Sequence, residues 1–512
     1  MCNYRLENYS CPHPSLPDSS YCIFHLENGD KDSNLFEHKL KELLFQEGVD
    51  GYQLNGFVFP EKFNRVFFRE RTFEKSIDFS SCKFTKYVNF SKTKFKDCVY
   101  FQDSQFLEGA LFIKTEFADY VYFTGARFSD DTDFYDAEFR EGVDFDSVRF
   151  DRKVSFADTR FLRNVELYRA QVNEINFGGT LFSSYINLTD TEFKGSAYFR
   201  DTHFNDRAIF ANARFLKNVY FIGTKFQYAK FSAALFLGTC LFEHATVDGL
   251  VDLSEVVTES AEKMVFRSMK LDRISFLKTD VTKFSFEGVS WSVLKERYLG
   301  FFKLQRRGIF DESRLKIDAT EDMTLAPKKY KRPFFRNRNP RELSQLALLE
   351  VLYRQLKNNY ERNGNYGEAG DFHIGEMETR RKQLTWRDKD FYPINLYRIF
   401  SYYGENWLLA LSWLLLLVIG LPSFLYMYLF GLEYSRDNAL ILYTFKPSLN
   451  ILRWITDALA VIFYSLKVSL LQRPQEIVPA NTAGIILSGF QSIAGPALIA
   501  LFLLALRRRF KR

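Results

Sequence analysis

The sequence predicts a multi-domain chain: a long β-helical tube, then an α-helical hairpin, then an α-helical transmembrane domain. Three observations carry this. Phenylalanine supplies 56 of the 512 residues and recurs at a fixed step through the first half. A middle stretch places leucine and tyrosine at three- and four-residue steps, the helical period. Near the C-terminus, Trp407–Phe430 carries no charge and is long enough to cross a bilayer core of ~30 Å. The length fits several domains of roughly 100–200 residues each. With 69 Lys+Arg against 63 Asp+Glu, the net charge of +6 gives little support to nucleic-acid binding. Met1–Glu27 lacks the apolar run of a secretory signal, and six scattered cysteines do not make a disulfide scaffold.

The repeat is read from spacing. From Phe90 the marks fall at Phe95, Phe101, Phe106, Phe112, Phe117, Phe123 and Phe128, and so on to Phe161. Steps of five and six alternate, so the unit is eleven residues. The register passes Leu167 and Val172, shortens by one at Phe177, and resumes through Leu188 and Phe193 to Leu253; Phe57 to Phe84 belong to it upstream. Two residues before each mark sits a small or β-branched side chain, such as Val99, Val121, Thr93, Thr115 or Ala126. Residues two apart point to the same side of extended backbone. The step is neither 3.6 nor 3.5, which excludes helices and coiled coils. Short strands joined by turns then put every Phe inside a narrow tube, the small partner keeping the corner open.

This pattern resembles the pentapeptide-repeat family, which implies a right-handed quadrilateral β-helix over 57–253. It departs from a strict five-residue step, so alternate corners are expected to hold an extra residue. Four steps make a coil of about 22 residues, giving roughly nine coils and a rod on the order of 40 Å long. A coda at Phe266, Leu271, Phe276, Val281, Phe286 and Trp291 reads as the last coils and cap over 254–291. Some members of the family are acidic DNA mimics; the balance here over 57–253 is only about −2, too weak for that role. The rod is expected to act as a spacer or to dock a cytoplasmic protein.

Cys2, Cys11 and Cys22 precede His25 with the spacing C-x8-C-x10-C-x2-H. Tetrahedral zinc takes four nitrogen or sulfur ligands, and Cys-x2-His places two of them on one tight turn. The intervening loop is polar and carries Pro12, Pro14 and Pro17, so a metal would supply the stability it lacks. Residues 1–30 are similar to small zinc modules with three cysteines and one histidine. His13 could replace His25. Four protein ligands imply a structural Zn2+ with no open position. Cys82 and Cys240 stand at small-residue positions and read as core. Asn34–Phe45, with Leu35, Leu40, Leu43 and Leu44, reads as an amphipathic helix capping the tube within 31–56.

Residues 292–341 read as a connector made basic by Lys328, Lys329, Lys331, Arg332, Arg336, Arg338 and Arg341, which could meet anionic headgroups or remain a solvated loop. Over 342–403, Leu346, Leu349, Leu352, Tyr353, Leu356 and Tyr360 mark one helix, Asn363-Gly364-Asn365 breaks it, and a second runs from about Tyr366 to Lys382. This stretch looks like one found ahead of the membrane helices in pentapeptide-repeat membrane proteins. Glu368, His373 and Glu376 share helical spacing there without a partner set that names a reaction.

The membrane domain spans 404–512. Ile485–Leu506 is the second span, and basic residues flank both spans on their outer sides in sequence. The positive-inside rule then puts both termini in the cytoplasm, and 431–481 must be external or re-entrant. Ile455–Leu471 reads as a short re-entrant helix. DALAVIFYSLKVSLLQRPQEIVPANTAG with the following span resembles the pore helix, filter loop and inner helix of two-transmembrane potassium channels. The resemblance aligns Leu471, Gln472, Arg473, Pro474 and Gln475 with the filter, Glu476 with the acid that follows it, and Gly495 with the inner-helix hinge. The filter glycines are missing, a proline fixes φ and Arg473 adds positive charge, all against potassium selectivity. Arg473 and Glu476 could pair with each other, or form rings between copies.

The expected function is therefore a homotetrameric, non-potassium-selective channel or pore in a lipid bilayer, regulated through its cytoplasmic rod. The alternative is a membrane-anchored scaffold with a relic pore domain. No nucleophile–base set, carboxylate pair or nucleotide loop argues for an enzyme.

Overall fold

Each eleven-residue unit folds as two short strands separated by corners, and two units close one coil. The strands Val99–Tyr100, Gln105–Phe106, Ala110–Leu111 and Glu116–Phe117 pair in parallel with Val121–Tyr122, Arg127–Phe128, Thr132–Asp133 and Glu138–Phe139 of the next coil. Four ladders mean four sides. The computed structural model describes all residues except 7–8, 18, 28–30, 46–47, 260–263, 299–301, 315–339, 437–438, 442–450, 473–476 and 511–512. It divides into one unit of Met1–Leu294 with Arg307–Ala326 and another of Lys295–Arg306 with Pro327–Arg512.

The first unit is a β-solenoid of about 11 turns. Its phenylalanines stack face to face in columns one coil apart, as from Phe101 to Phe123 (4.8 Å) and Phe112 to Phe134 (4.6 Å). That separation is the interstrand spacing itself. Neighbouring columns meet edge-on, as Phe101 meets Phe112, so the core combines the two ring geometries that the aromatic quadrupole favours.

The five-residue steps share a backbone signature. One residue per unit takes a left-handed conformation, among them Lys92, Asp103, Lys114, Gly125, Asp136 and Ser147. At such a corner Ser104 donates its N–H to the Phe101 carbonyl, and Asp103 holds the positive φ that a type II turn needs at its third position. These corners lie within the five-residue steps, as between Phe101 and Phe106; the extra residue falls at the other corners, as between Phe95 and Phe101, where no residue is left-handed.

The small residue also does more than leave room. Thr93, Thr115, Thr159, Thr180, Thr202 and Thr224 each donate a side-chain hydroxyl to a Phe carbonyl of the preceding coil, at 2.6–2.8 Å. Ala137 occupies the same column without a hydroxyl. Where the sequence shortens by one, the ladder between Arg149–Ser155 and Gln171–Asn176 shifts register at a corner, and the columns continue through it.

Both ends of the solenoid are covered within this unit. Ser33–Leu44 forms the N-terminal helix, capped by Asp32, which accepts from the N–H groups of Asn34 and Leu35. Its buried face is Phe36, Leu40 and Leu44; Leu35, expected to be part of it, is exposed. Phe36 lies edge-on to Phe59 and Phe63 of the first coil. At the other end, buried Asp311 accepts from the Ser275 hydroxyl (2.6 Å) and the Phe276 N–H (3.1 Å). Burial holds its carboxyl up at about 6, the Ser275 and Phe276 donors working against the rise. The expected connector begins instead with paired strands, Ser292–Tyr298 and Phe302–Gly308. Their basic residues obscured the strand alternation. The Lys328–Arg338 part of the connector lies outside the described residues.

In the second unit, Pro340–Arg362 and Tyr366–Gln383 form the expected helical hairpin, turning at Gly364 with φ +76°. Phe391–Ser401 is a third helix. Two helices, Trp407–Phe430 and Thr482–Arg508, are long and apolar enough to cross a membrane. Between them lie the helix Ile451–Ser469 and a small sheet in which Leu432–Arg436 pairs with Ala439–Ile441 and Ile477–Pro479.

Candidate metal centre and membrane segment

Cys2, Cys11, Cys22 and His25 are all buried, and their ligand atoms lie within 4.8 Å of one another. The chain reaches this arrangement through backbone hydrogen bonds. Cys2 N–H binds the His13 carbonyl, Cys11 N–H binds the Tyr4 carbonyl, and His25 and Leu26 both donate to the Cys22 carbonyl, closing the tight turn. The Cys11 and Cys22 sulfurs are 3.7 Å apart, and His25 Nδ1 is 3.6 Å from the Cys2 sulfur and 3.2 Å from that of Cys22. A tetrahedral ion at ~2.3 Å from sulfur and ~2.1 Å from nitrogen has edges of about 3.5–3.8 Å. The four residues therefore fit one metal ion.

The histidine is positioned for it. Its Nε2 lies 2.8 Å from the Asn55 carbonyl, an acceptor only, so Nε2 carries the proton and Nδ1 turns its lone pair to the sulfurs. Tyr4 stacks on the ring at 3.9 Å. Burial lowers His25 to about 4, so the ring is neutral, and raises Cys22 to about 12. Burial also raises Cys11. For Cys2 the same burial is outweighed by the N–H groups of Tyr4 and Cys22, and its thiol is lowered. His13, the other candidate, packs edge-on to Phe24 and Phe57. Phe24, between the last two ligands, stacks on Phe57 at 4.2 Å, joining the centre to the solenoid.

A second group, Asp97, Cys98 and Asp119, also brings its ligand atoms within 4.8 Å, on a partly exposed flank. Two hard carboxylates and one soft thiol favour no common metal. Cys82 and Cys240 are fully buried core residues, as expected.

The two apolar helices are held by a polar node that the sequence reading missed. Gln491 on the second apolar helix donates from Nε2 to the Val418 carbonyl (3.0 Å) and the Ser465 hydroxyl (2.6 Å). Its Oε1 accepts from the Tyr426 hydroxyl at 3.0 Å. Ser465 in turn donates to the same Val418 carbonyl. That carbonyl is available because Pro422, four residues on, has no N–H to give it. Two π-helical turns, Leu415–Gly420 and Tyr426–Phe430, flank the proline. The available signal was a proline inside an apolar run with one glutamine in the facing run.

Gly495 sits against the end of the short helix: a Cβ there would lie 2.7–2.8 Å from Ser469, backbone included. Gly484 lies similarly against Pro479. The helix Ile451–Ser469 thus ends about 16 Å along the second apolar helix from the strand that follows it. Of the loop between, Leu471 has φ +61° and is exposed, as is Gln472. Arg473, Pro474, Gln475 and Glu476 lie outside the described residues. Arg508, at the end of the second apolar helix, pairs with Glu405, just before the first, at 3.2 Å.

No curated protein and no solved structure matches the chain. The family described as pentapeptide repeats (9 copies) matches residues 90–138, 123–171 and 177–225. These are the coils whose ladders and stacked columns are described above, and the solenoid of this chain is a pentapeptide-repeat β-solenoid.

Proposed function

We propose that the chain is a membrane protein whose C-terminal domain assembles, as a homotetramer, into a pore that does not select potassium, regulated through the solenoid. The observation that carries this reading is the short helix Ile451–Ser469. Ser465 bonds Val418 and Gln491, and Ser469 touches Gly495, well inside both apolar helices. The following strand then returns to the level of Leu432 and Gly484. A helix that enters part-way and returns through a loop suits a re-entrant pore element, tolerated at membrane depth where it lines a cavity. Two helices per chain cannot enclose a pore, which requires several copies around an axis.

The Glu405–Arg508 pair brings both outer ends of the spans to one side, supporting a cytoplasmic location for both termini. In this reading the solenoid is right-handed and Cys2, Cys11, Cys22 and His25 hold a structural Zn2+ that fixes its N-terminal end.

One observation favours the scaffold reading instead. Every side-chain hydrogen-bonding group of Gln491 is satisfied within one subunit, so this polar node needs no second copy. Light scattering on the protein in nanodiscs, with lipid subtracted, decides between them. Four copies of the 60.2 kDa chain, together with ion flux altered by Arg473→Ala, support the pore. A persistent monomer overturns it.

A further inference from the structure

The turn that leads into the first apolar helix holds, among the described residues of the second unit, an unbroken run of left-handed backbone. Tyr402, Tyr403 and Gly404 take left-handed conformations in succession, with φ of 49°, 61° and 75°. Two of the three are tyrosines, which rarely adopt this region. Such strain persists only where the surroundings over-determine it, and it clusters at switch regions.

Here the surroundings come from opposite directions. From the hairpin, buried Glu378 accepts the Tyr403 hydroxyl at 3.0 Å. The same carboxylate binds Arg381 at 2.8 Å and Arg398, on the helix before the turn, at 2.6 Å. From the far end of the second apolar helix, Arg508 donates to the Tyr403 carbonyl at 2.8 Å and pairs with Glu405 at 3.2 Å. A Cβ on Gly404 would lie 2.6 Å from the Tyr397 hydroxyl and 3.2 Å from the Arg508 guanidinium, so the glycine serves both the backbone angle and the approach of Arg508. Tyr402 and Tyr403 pack with Ile374 and Ile394, and Leu304 and Leu409 lie against them.

We infer that Tyr402–Gly404 is a conformational latch, through which the Glu378 carboxylate of the hairpin controls the order of the second apolar helix at its Arg508 end. The two helices bind opposite ends of one residue, Tyr403, in a strained state. Losing the hydroxyl contact lets the turn relax toward right-handed backbone. The carbonyl then turns away from Arg508, and the helix end is freed. Coupling of this kind is reciprocal, so loosening Arg508 must loosen the hairpin around Glu378.

The inference rests on reading Thr482–Arg508 as a span. Hydrogen–deuterium exchange of the full chain in lipid nanodiscs tests it, reading the helix end directly so that loss of conduction does not count against it. Tyr403→Phe removes only the hydroxyl, and should speed exchange over 500–508 by about tenfold. Glu378→Gln should do the same, and Arg508→Gln should speed exchange over 374–383. Glu350→Gln, which disturbs a hairpin ion pair away from the turn, should leave 500–508 unchanged. If Tyr403→Phe leaves 500–508 at the wild-type rate, or Glu350→Gln accelerates it equally, the latch is overturned. Should Glu378→Gln fail to fold, Tyr403→Phe and Arg508→Gln decide alone.

Discussion

His25 Nε2 stands 2.8 Å from the carbonyl of Asn55, a residue at the mouth of the first solenoid coil. The bond ties the candidate metal centre to the repeat architecture and fixes which ring nitrogen faces the cysteines. A metal ion held there would therefore also bear on the closure of that end of the solenoid.

Cys22→Ser should therefore act at two places. Elemental analysis of the wild type should find one zinc per chain and of the variant none. Phe24 should also lose its seat on Phe57, raising hydrogen exchange around Leu54–Phe59. Equal metal content in the two proteins would dismiss the centre.

The hydroxyl column offers a paired test. Thr115→Val removes one of two donors from the buried Phe90 carbonyl, which keeps the Thr93 N–H, and should cost about 1 kcal/mol. Ala137→Thr supplies the missing donor for the Phe112 carbonyl and should add about 1 kcal/mol. Denaturant midpoints measure both. A destabilised Ala137→Thr would mean the column lacks room there, and that spacing rather than hydrogen bonding selects the small residue.

Asp311 gives a pH dependence of definite sign. Folded, its carboxyl is held up at about 6; unfolded, an aspartate titrates near ~3.9. Between those values the folded state carries more protons, so its contribution is fully present below pH ~4 and is lost as pH rises through 6. Protection of the Phe276 amide, corrected for intrinsic exchange, should fall across that window and be level in Asp311→Asn. Protection that rises with pH would contradict the assignment.

Pro422 and Gln491 should be coupled. Gln491→Leu removes a donor from the Val418 carbonyl and should cost about 1 kcal/mol. In a Pro422→Ala background the backbone N–H of residue 422 can reach that carbonyl, and the same substitution should cost less. Additive losses in a double-mutant cycle would show that the proline does not create the demand the glutamine meets.

Much of this was legible in sequence, and the misses share a cause. The columns through Phe101 and Phe112 follow from spacing alone, because a repeat states the same rule many times. The left-handed corners left no mark in the sequence, since Asp103, Lys114 and Ser147 share no chemistry; their turns select an angle, not a side chain. The clustering of Cys2, Cys11, Cys22 and His25 was readable because a metal site would constrain residue type and spacing, whereas setting His13 apart required knowing that its ring meets Phe24. Leu35 and Phe36 were confused because one residue rotates a helix face by about 100°. Gln491 and Asp311 were missed because each acts on a carbonyl or amide distant in sequence, and a single polar residue announces no such partner.

The stacked columns also determine where the solenoid yields. Each coil touches only the one before and the one after, so the energetics are those of a one-dimensional zipper. Its interior coils have no independent route to opening, and fraying must start where a neighbour is missing. The lifetime of the rod is then set at its termini, by the Cys2–His25 centre at one and the Asp311 seal at the other. Loss of the Cys2–His25 cluster and a change of pH would then be read out as unravelling from opposite directions.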